Sequence, residues 1–190
     1  MPRYSSLAHG FLPVFLLLAR ARCAASDLVR INELSNSGTF GVCDGNDWIE
    51  LYLPATCAAA LDLNGYVLYD EKGADDGKAF TFPTENSTRF SLLNPGEYLL
   101  LCNDGPDPIA SPQFGIGKSD ELTLLDPSGA VVSSTGALQG LGYSDVSYAL
   151  DEATDAFVYT STPTPGEANI ITAVPSKEEK VDEMRDRWAA

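Results

Sequence analysis

Between residues 28 and 160 the apolar residues come in short runs, most of 4–7 residues, cut apart by Gly, Pro, Asn and Asp. Runs that short cannot make a helix of three turns, whereas a strand needs no more. Strands are predicted at Leu28–Leu34, Asp47–Leu53, Gly65–Tyr69, Ala79–Phe82, Arg89–Leu92, Tyr98–Cys102, Glu121–Leu125, Val131–Ser134 and Phe157–Thr160. Many recur about 10–20 residues apart, the spacing of an all-β sandwich or barrel. Two turns are strongly marked, Asn94-Pro95-Gly96-Glu97 before Tyr98 and Asp126-Pro127-Ser128-Gly129 before Ala130, because Pro presets φ and Gly accepts positive φ. In Asp47–Leu53 the side chains alternate. Ile49, Leu51 and Leu53 share one face, expected inward, and Trp48, Glu50 and Tyr52 share the other.

Residues 1–26 have a different character. Arg3 precedes the apolar stretch Phe11-Leu12-Pro13-Val14-Phe15-Leu16-Leu17-Leu18-Ala19, and small residues follow at Cys23-Ala24-Ala25-Ser26. That order is a secretory signal peptide, with cleavage expected near Ala25 or Ser26. The stretch falls short of the roughly 20 residues a spanning helix needs, so no membrane span is expected in the mature chain. His9, the one histidine of the sequence, lies inside this leader. Its removal takes away the Ser-His-Asp triad, the Cys-His pair and the His-ligated zinc site together. The hydroxyls of Ser133, Ser134, Thr135, Ser161 and Thr162 then have no base beside them. A non-enzymatic protein is expected.

Cleavage at that point would remove Cys23 and leave Cys43, Cys57 and Cys102. In an oxidising compartment the simplest outcome is one disulfide and one unpaired thiol. Cys43–Cys57 and Cys43–Cys102 are both open as pairings. Asn86-Ser87-Thr88 is an N-glycosylation sequon in an apparent loop, with Asn86 as the acceptor.

The formal charge is −15, from 12 basic against 27 acidic residues. Without residues 1–26, which contribute Arg3, Arg20 and Arg22 and no acid, nine basic residues face the same 27 and the charge is −18. Nucleic-acid affinity comes largely from Lys and Arg on phosphates, so no nucleic-acid partner is expected, and anionic lipid should repel the chain. The acids gather in loops: Asp44-Gly45-Asn46-Asp47, Asn103-Asp104-Gly105-Pro106-Asp107, and Asp70-Glu71-Lys72-Gly73-Ala74-Asp75-Asp76-Gly77. Calcium takes several hard oxygen ligands from such loops, which makes Asp70, Asp75 and Asp76 the candidate metal ligands. Turn chemistry alone selects the same residues; no other cofactor is expected. Gly115-Ile116-Gly117-Lys118-Ser119 is not a phosphate loop, since position 112, where the motif needs glycine, is Pro112.

After Ile171 a linker and an amphipathic tail are expected over 173–190. Ser176 and Glu179 form a capping box, and Val181, Met184 and Trp188 share a helical face. The domain itself is expected over 27–172.

The order of motifs resembles the lamin-tail domain. Ile31-Asn32-Glu33 and Asp47-Trp48-Ile49-Glu50-Leu51-Tyr52 are similar to its opening. Leu63-Asn64-Gly65-Tyr66-Val67-Leu68, Phe80-Thr81-Phe82-Pro83, Pro95-Gly96-Glu97-Tyr98-Leu99 and Leu122-Thr123-Leu124-Leu125-Asp126 follow in order. Thr162-Pro163-Thr164-Pro165-Gly166-Glu167-Ala168-Asn169 looks like its closing signature. The likeness covers residues 28–170, with Leu53 and Ala149 standing where many members carry Asn and Gly. It implies an immunoglobulin-like β-sandwich without a catalytic constellation, serving as a secreted or cell-surface binding or structural module for a protein or glycan. It implies as an alternative the N-terminal accessory domain of a larger secreted enzyme or CotH-like kinase protein. Glu33 and Glu50, on strands among apolar neighbours, are expected to be structural acceptors satisfied by backbone or hydroxyl donors.

Overall fold

The computed structural model describes residues 28–36, 42–83, 92–105, 111–139 and 146–174. The expected leader, the Asn86 sequon and the helical tail beyond Val174 lie outside them. In chain order the strands are β1 (Arg30–Ser35), β2 (Trp48–Tyr52), β3 (Leu61–Asp62), β4 (Val67–Tyr69), β5 (Phe80–Thr81), β6 (Leu92–Leu93) and β7 (Tyr98–Cys102). Then come β8 (Ser119–Asp120), β9 (Thr123–Leu125), β10 (Val131–Ser134), β11 (Leu138–Gln139), β12 (Ser147–Asp151) and β13 (Ala156–Thr160). The one helical piece among the described residues is the 3-10 turn Val42–Gly45.

The fold is all-β and sandwich-like. A five-stranded sheet runs β13-β12-β1-β2-β7, a four-stranded sheet runs β10-β9-β4-β5, and two ribbons pair β11 with β8 and β3 with β6. Every ladder is antiparallel. The core includes Ile31 and Leu34 from β1, Ile49 and Leu51 from β2 and Leu101 from β7, with Leu68, Phe80 and Leu124 from the second sheet. The two sheets also meet where the Ile31 amide donates to Ser133 Oγ of β10 at 3.0 Å, beside a bulge between Ile31 and Glu33.

Both marked turns are present. Gly96 takes φ +81°, and its amide donates to Leu53 O at 2.7 Å while Glu97 Oε2 accepts from the Asn94 amide at 2.8 Å. Asp126 Oδ1 accepts from the amides of Ser128 and Ala130, and Gly129 takes φ +85°. The strands at 98–102 and 131–134 fall on the predicted ends, and the others shift by one to three residues. Strands β3, β8, β11 and β12 have no counterpart in the sequence reading. The alternation in β2 holds for Ile49 and Leu51, which face the core, but Trp48 and Glu50 on the opposite face are also fully buried. Residues 160–173 cover much of that outer face, and the candidate site is built there.

Candidate functional site

β1 and β2 pair so that Glu33 lies directly opposite Glu50, and both side chains point to the outer face. Each is fully buried, so each carboxyl group needs donors to replace water. The closing segment brings most of them. Glu33 accepts from the Thr164 amide at 3.0 Å, the Thr164 hydroxyl at 3.1 Å and the Ser147 hydroxyl. Glu50 accepts from Asn32 Nδ2 at 2.8 Å and from the Gly166 amide. Asn169 completes the network: its Nδ2 donates to Asn32 O at 3.0 Å and Leu150 O at 2.9 Å, and its Oδ1 accepts from Asn32 Nδ2 at 2.9 Å. Further along, Thr160 Oγ1 donates to Ile170 O at 2.7 Å and accepts from the Thr172 amide at 3.0 Å. Burial raises the pKa of both acids against the pull of these donors. Glu50 is pushed up to about 7, with the Glu33 charge adding to the rise. The backbone and hydroxyl donors expected for Glu33 and Glu50 are therefore in place.

At the end of the large sheet where β1 and β7 begin and β2 and β12 end, a cleft of about 370 Å³ opens beside this network. Its lining includes Asn32, Tyr52, Tyr98, Glu152 and Asn169. Tyr52 and Tyr98 stack at 4.5 Å between centroids, and the Arg30 guanidinium sits 5.3 Å from the Tyr52 ring while pairing with Glu152. A wider groove of about 690 Å³ runs between residues 132–139 and the β12–β13 side of the sheet. There the Tyr148 ring lies 3.9 Å from that of Tyr159, and its hydroxyl donates to Gln139 O. Both depressions mix polar and aromatic side chains, the chemistry of a contact surface. Sequence reasoning missed this Arg30–Tyr52–Tyr98 row. Alternation put Tyr52 on the outer face, but the neighbours on adjacent strands follow only from register.

The cysteines depart from the expectation. Cys43 is bonded to Cys102, with Cα atoms 5.3 Å apart, which selects one of the two open pairings. Cys57 is not an unpaired thiol: it too is disulfide-bonded, and no described cysteine is free. Cys43 enters its bond from the 3-10 turn, where Cys43 and Asp44 take φ of 54° and 53°. The turn is anchored across the chain, because Asp47 Oδ2 accepts from the Ile116 amide at 2.7 Å and Asp47 O from the Asn103 amide at 2.8 Å.

Of the three candidate calcium ligands, Asp70 is buried and accepts from Lys72 Nζ at 2.6 Å and from the Lys72 amide at 3.0 Å. Asp75 is exposed and Asp76 half-buried in the following turn. Among the described residues no three His, Cys, Asp or Glu side chains are grouped to hold a metal ion. A carboxyl pair the sequence did not suggest joins this loop to β8. Asp120 is buried, accepts from the Gly117 and Glu121 amides and shares a hydrogen bond with Glu71; burial first, then Glu71, raises it to about 6. No described helix is long and apolar enough to cross a membrane. The chain matches no model of a known protein family and no curated protein.

Proposed function

We propose that the chain is a lamin-tail-type, immunoglobulin-like sandwich that is exported and serves, without catalysis, as a binding or structural module for a protein or glycan outside the cell. One observation carries the reading. The opening motifs that resemble the family, Ile31-Asn32-Glu33 and Trp48-Ile49-Glu50, meet its closing signature at Thr164, Gly166 and Asn169 in a single network around the buried Glu33 and Glu50. Segments more than 110 residues apart in sequence belong to one structural unit, as a shared family pattern requires. The two buried carboxyl groups hold that unit together, a role different from acid–base work on a substrate. The Cys43–Cys102 bond suits an oxidising compartment. The stacked Tyr52 and Tyr98, with the exposed Glu152 beside them, give the sheet-end cleft the groups a glycan or peptide would touch.

The test is expression of the full chain, tagged at its C-terminus, in a eukaryotic secretory host. The expected result is tagged protein in the medium or on the cell surface without its leader. The purified protein should bind members of an immobilised glycan or peptide panel, and Tyr52→Ala should weaken that binding. Retention of the chain inside the cell, uncut from Met1, would overturn the reading.

A further inference from the structure

We propose that the groove between β10 and the β12–β13 hairpin receives an extended, basic segment of a partner protein, which pairs with β10 as a fifth strand of the small sheet. That the chain binds a protein partner is taken from the reading above; the surface is a new one, and neither export nor the sheet-end cleft enters into it.

The groove exists because the two sheets are unequal. Five strands of the large sheet face four of the small one. β10, an outermost strand of the small sheet, lies over β1, where Ser133 Oγ takes the Ile31 amide at 3.0 Å. Beyond β1 the large sheet continues into β12 and β13. There Leu150 lies opposite Phe157, which is only half-buried against the core, and a depression of about 690 Å³ opens over the pair. Neighbouring strands lie about 4.8 Å apart and packed sheets about 10 Å apart. One further strand beside β10 would therefore fill the groove and cover Phe157.

β10 is suited to such pairing. It is hydrogen-bonded on one side only, to β9, and no described strand takes up the amides and carbonyls on its other side. Val131-Val132-Ser133-Ser134 carries neither the Pro nor the charge that usually blunts an open edge, and a bulge between Val131 and Ser133 is its one irregularity. Val131, at 64%, is the most exposed of the large apolar side chains described. A cross-strand neighbour would cover it.

Charge selects the occupant. Arg30 is the one cation in the lining, and Glu152 already pairs with it. Asp155 is exposed where the hairpin closes the groove, and Glu121 accepts from the Ser134 hydroxyl on β10. These carboxylates, on a chain of net charge −15, attract a strand bearing Lys or Arg and repel a second copy of this chain. Side chains alternate along such a strand, so aliphatic ones would pack on Val132 and Phe157 while basic ones stay in water.

The experiment titrates the purified full chain with the fluorescent peptide Lys-Val-Thr-Val-Lys-Val-Thr-Val-Lys and with its analogue carrying Glu for Lys. The expected result is saturable one-to-one binding of the basic peptide, binding of the acidic one weaker by about tenfold, and slowed amide exchange at residues 131–134 in the complex. Ala137→Arg, at an exposed position of the groove wall, should weaken binding about tenfold without moving Tm. Asp155→Asn, which suits the φ of +53° there, should weaken it about threefold at low salt. The same substitution at Asp44, also at φ +53° but before β2 begins, at the other end of the sheet, should leave it unchanged. A basic peptide that does not saturate, equal binding of the acidic one, or binding that survives Ala137→Arg would overturn the groove and leave the export reading standing. Self-association of the chain that Ala137→Arg abolishes would also overturn it, by giving the groove to a second copy.

Discussion

At the scale of single residues, the molecule's most consequential choice is to bury two glutamates face to face. Glu33 and Glu50 each lose their water and regain it as donors from Thr164, Ser147, Gly166 and Asn32. Their pKa values nevertheless rise, Glu50 to about 7. The unfolded chain gives up these protons near the ordinary glutamate value of 4.5, so between about 4.5 and 7 the folded state holds more protons than the unfolded one. Stability must fall as pH rises through that window. The expected outcome is a Tm several degrees lower at pH 8 than at pH 5, with a smaller difference in Glu50→Gln; thermal melts across pH measure both. An equal pH dependence in the variant would assign the effect elsewhere. Asn169 offers a second residue-scale test. Its amide holds two strand carbonyls and one side chain, so Asn169→Ala should cost about 2 kcal/mol in urea unfolding, with Asn169→Asp no better because it discards both donors.

At the scale of elements, the Cys43–Cys102 bond spans 59 residues of sequence and joins the 3-10 turn to the end of β7. A loop of that length constrains the unfolded chain strongly, and the Cys43→Ala/Cys102→Ala pair should lose about 3–4 kcal/mol by denaturant titration. The same elements explain what could be read in advance. Runs such as Tyr98-Leu99-Leu100-Leu101 and turns such as Asn94-Pro95-Gly96-Glu97 carry local signals, and they fold as read. β12 carries none. Ser147-Tyr148-Ala149-Leu150-Asp151 looks like ordinary loop sequence, yet it lies between β1 and β13, with Ser147 and Ala149 fully buried. Its place is fixed by what covers it, not by propensity. The cover over the outer face of β2 is illegible in sequence for the same reason. Alternation separates two faces but cannot show that a segment more than 100 residues later will bury the second. Glu33 and Glu50 were legible as structural acceptors because a carboxylate among apolar neighbours must find donors. The identity of those donors, and the pairing of Asp120 with Glu71, required register and tertiary contact.

For the molecule as a whole, two electrostatic terms act on stability, and they can be separated. One is the net charge of −15, which repels itself at neutral pH. The other is the set of buried acids, Glu33, Glu50 and Asp120, each raised by burial. Both make the protein more stable as pH falls from 8 toward 5, so a pH series alone cannot tell them apart. Salt can. At about 10 mM ionic strength the screening length is about 30 Å and surface repulsion reaches across the molecule; at about 1 M it is about 3 Å and that repulsion is gone, while buried groups are screened far less. Raising salt at pH 8 should therefore raise Tm. The pH dependence that survives at high salt should shrink in a Glu33→Gln/Glu50→Gln double variant. A pH dependence that vanishes in salt would place the whole effect on the surface. One that survives unchanged in the double variant would leave Asp120 as its source, and Asp120→Asn would then have to remove it.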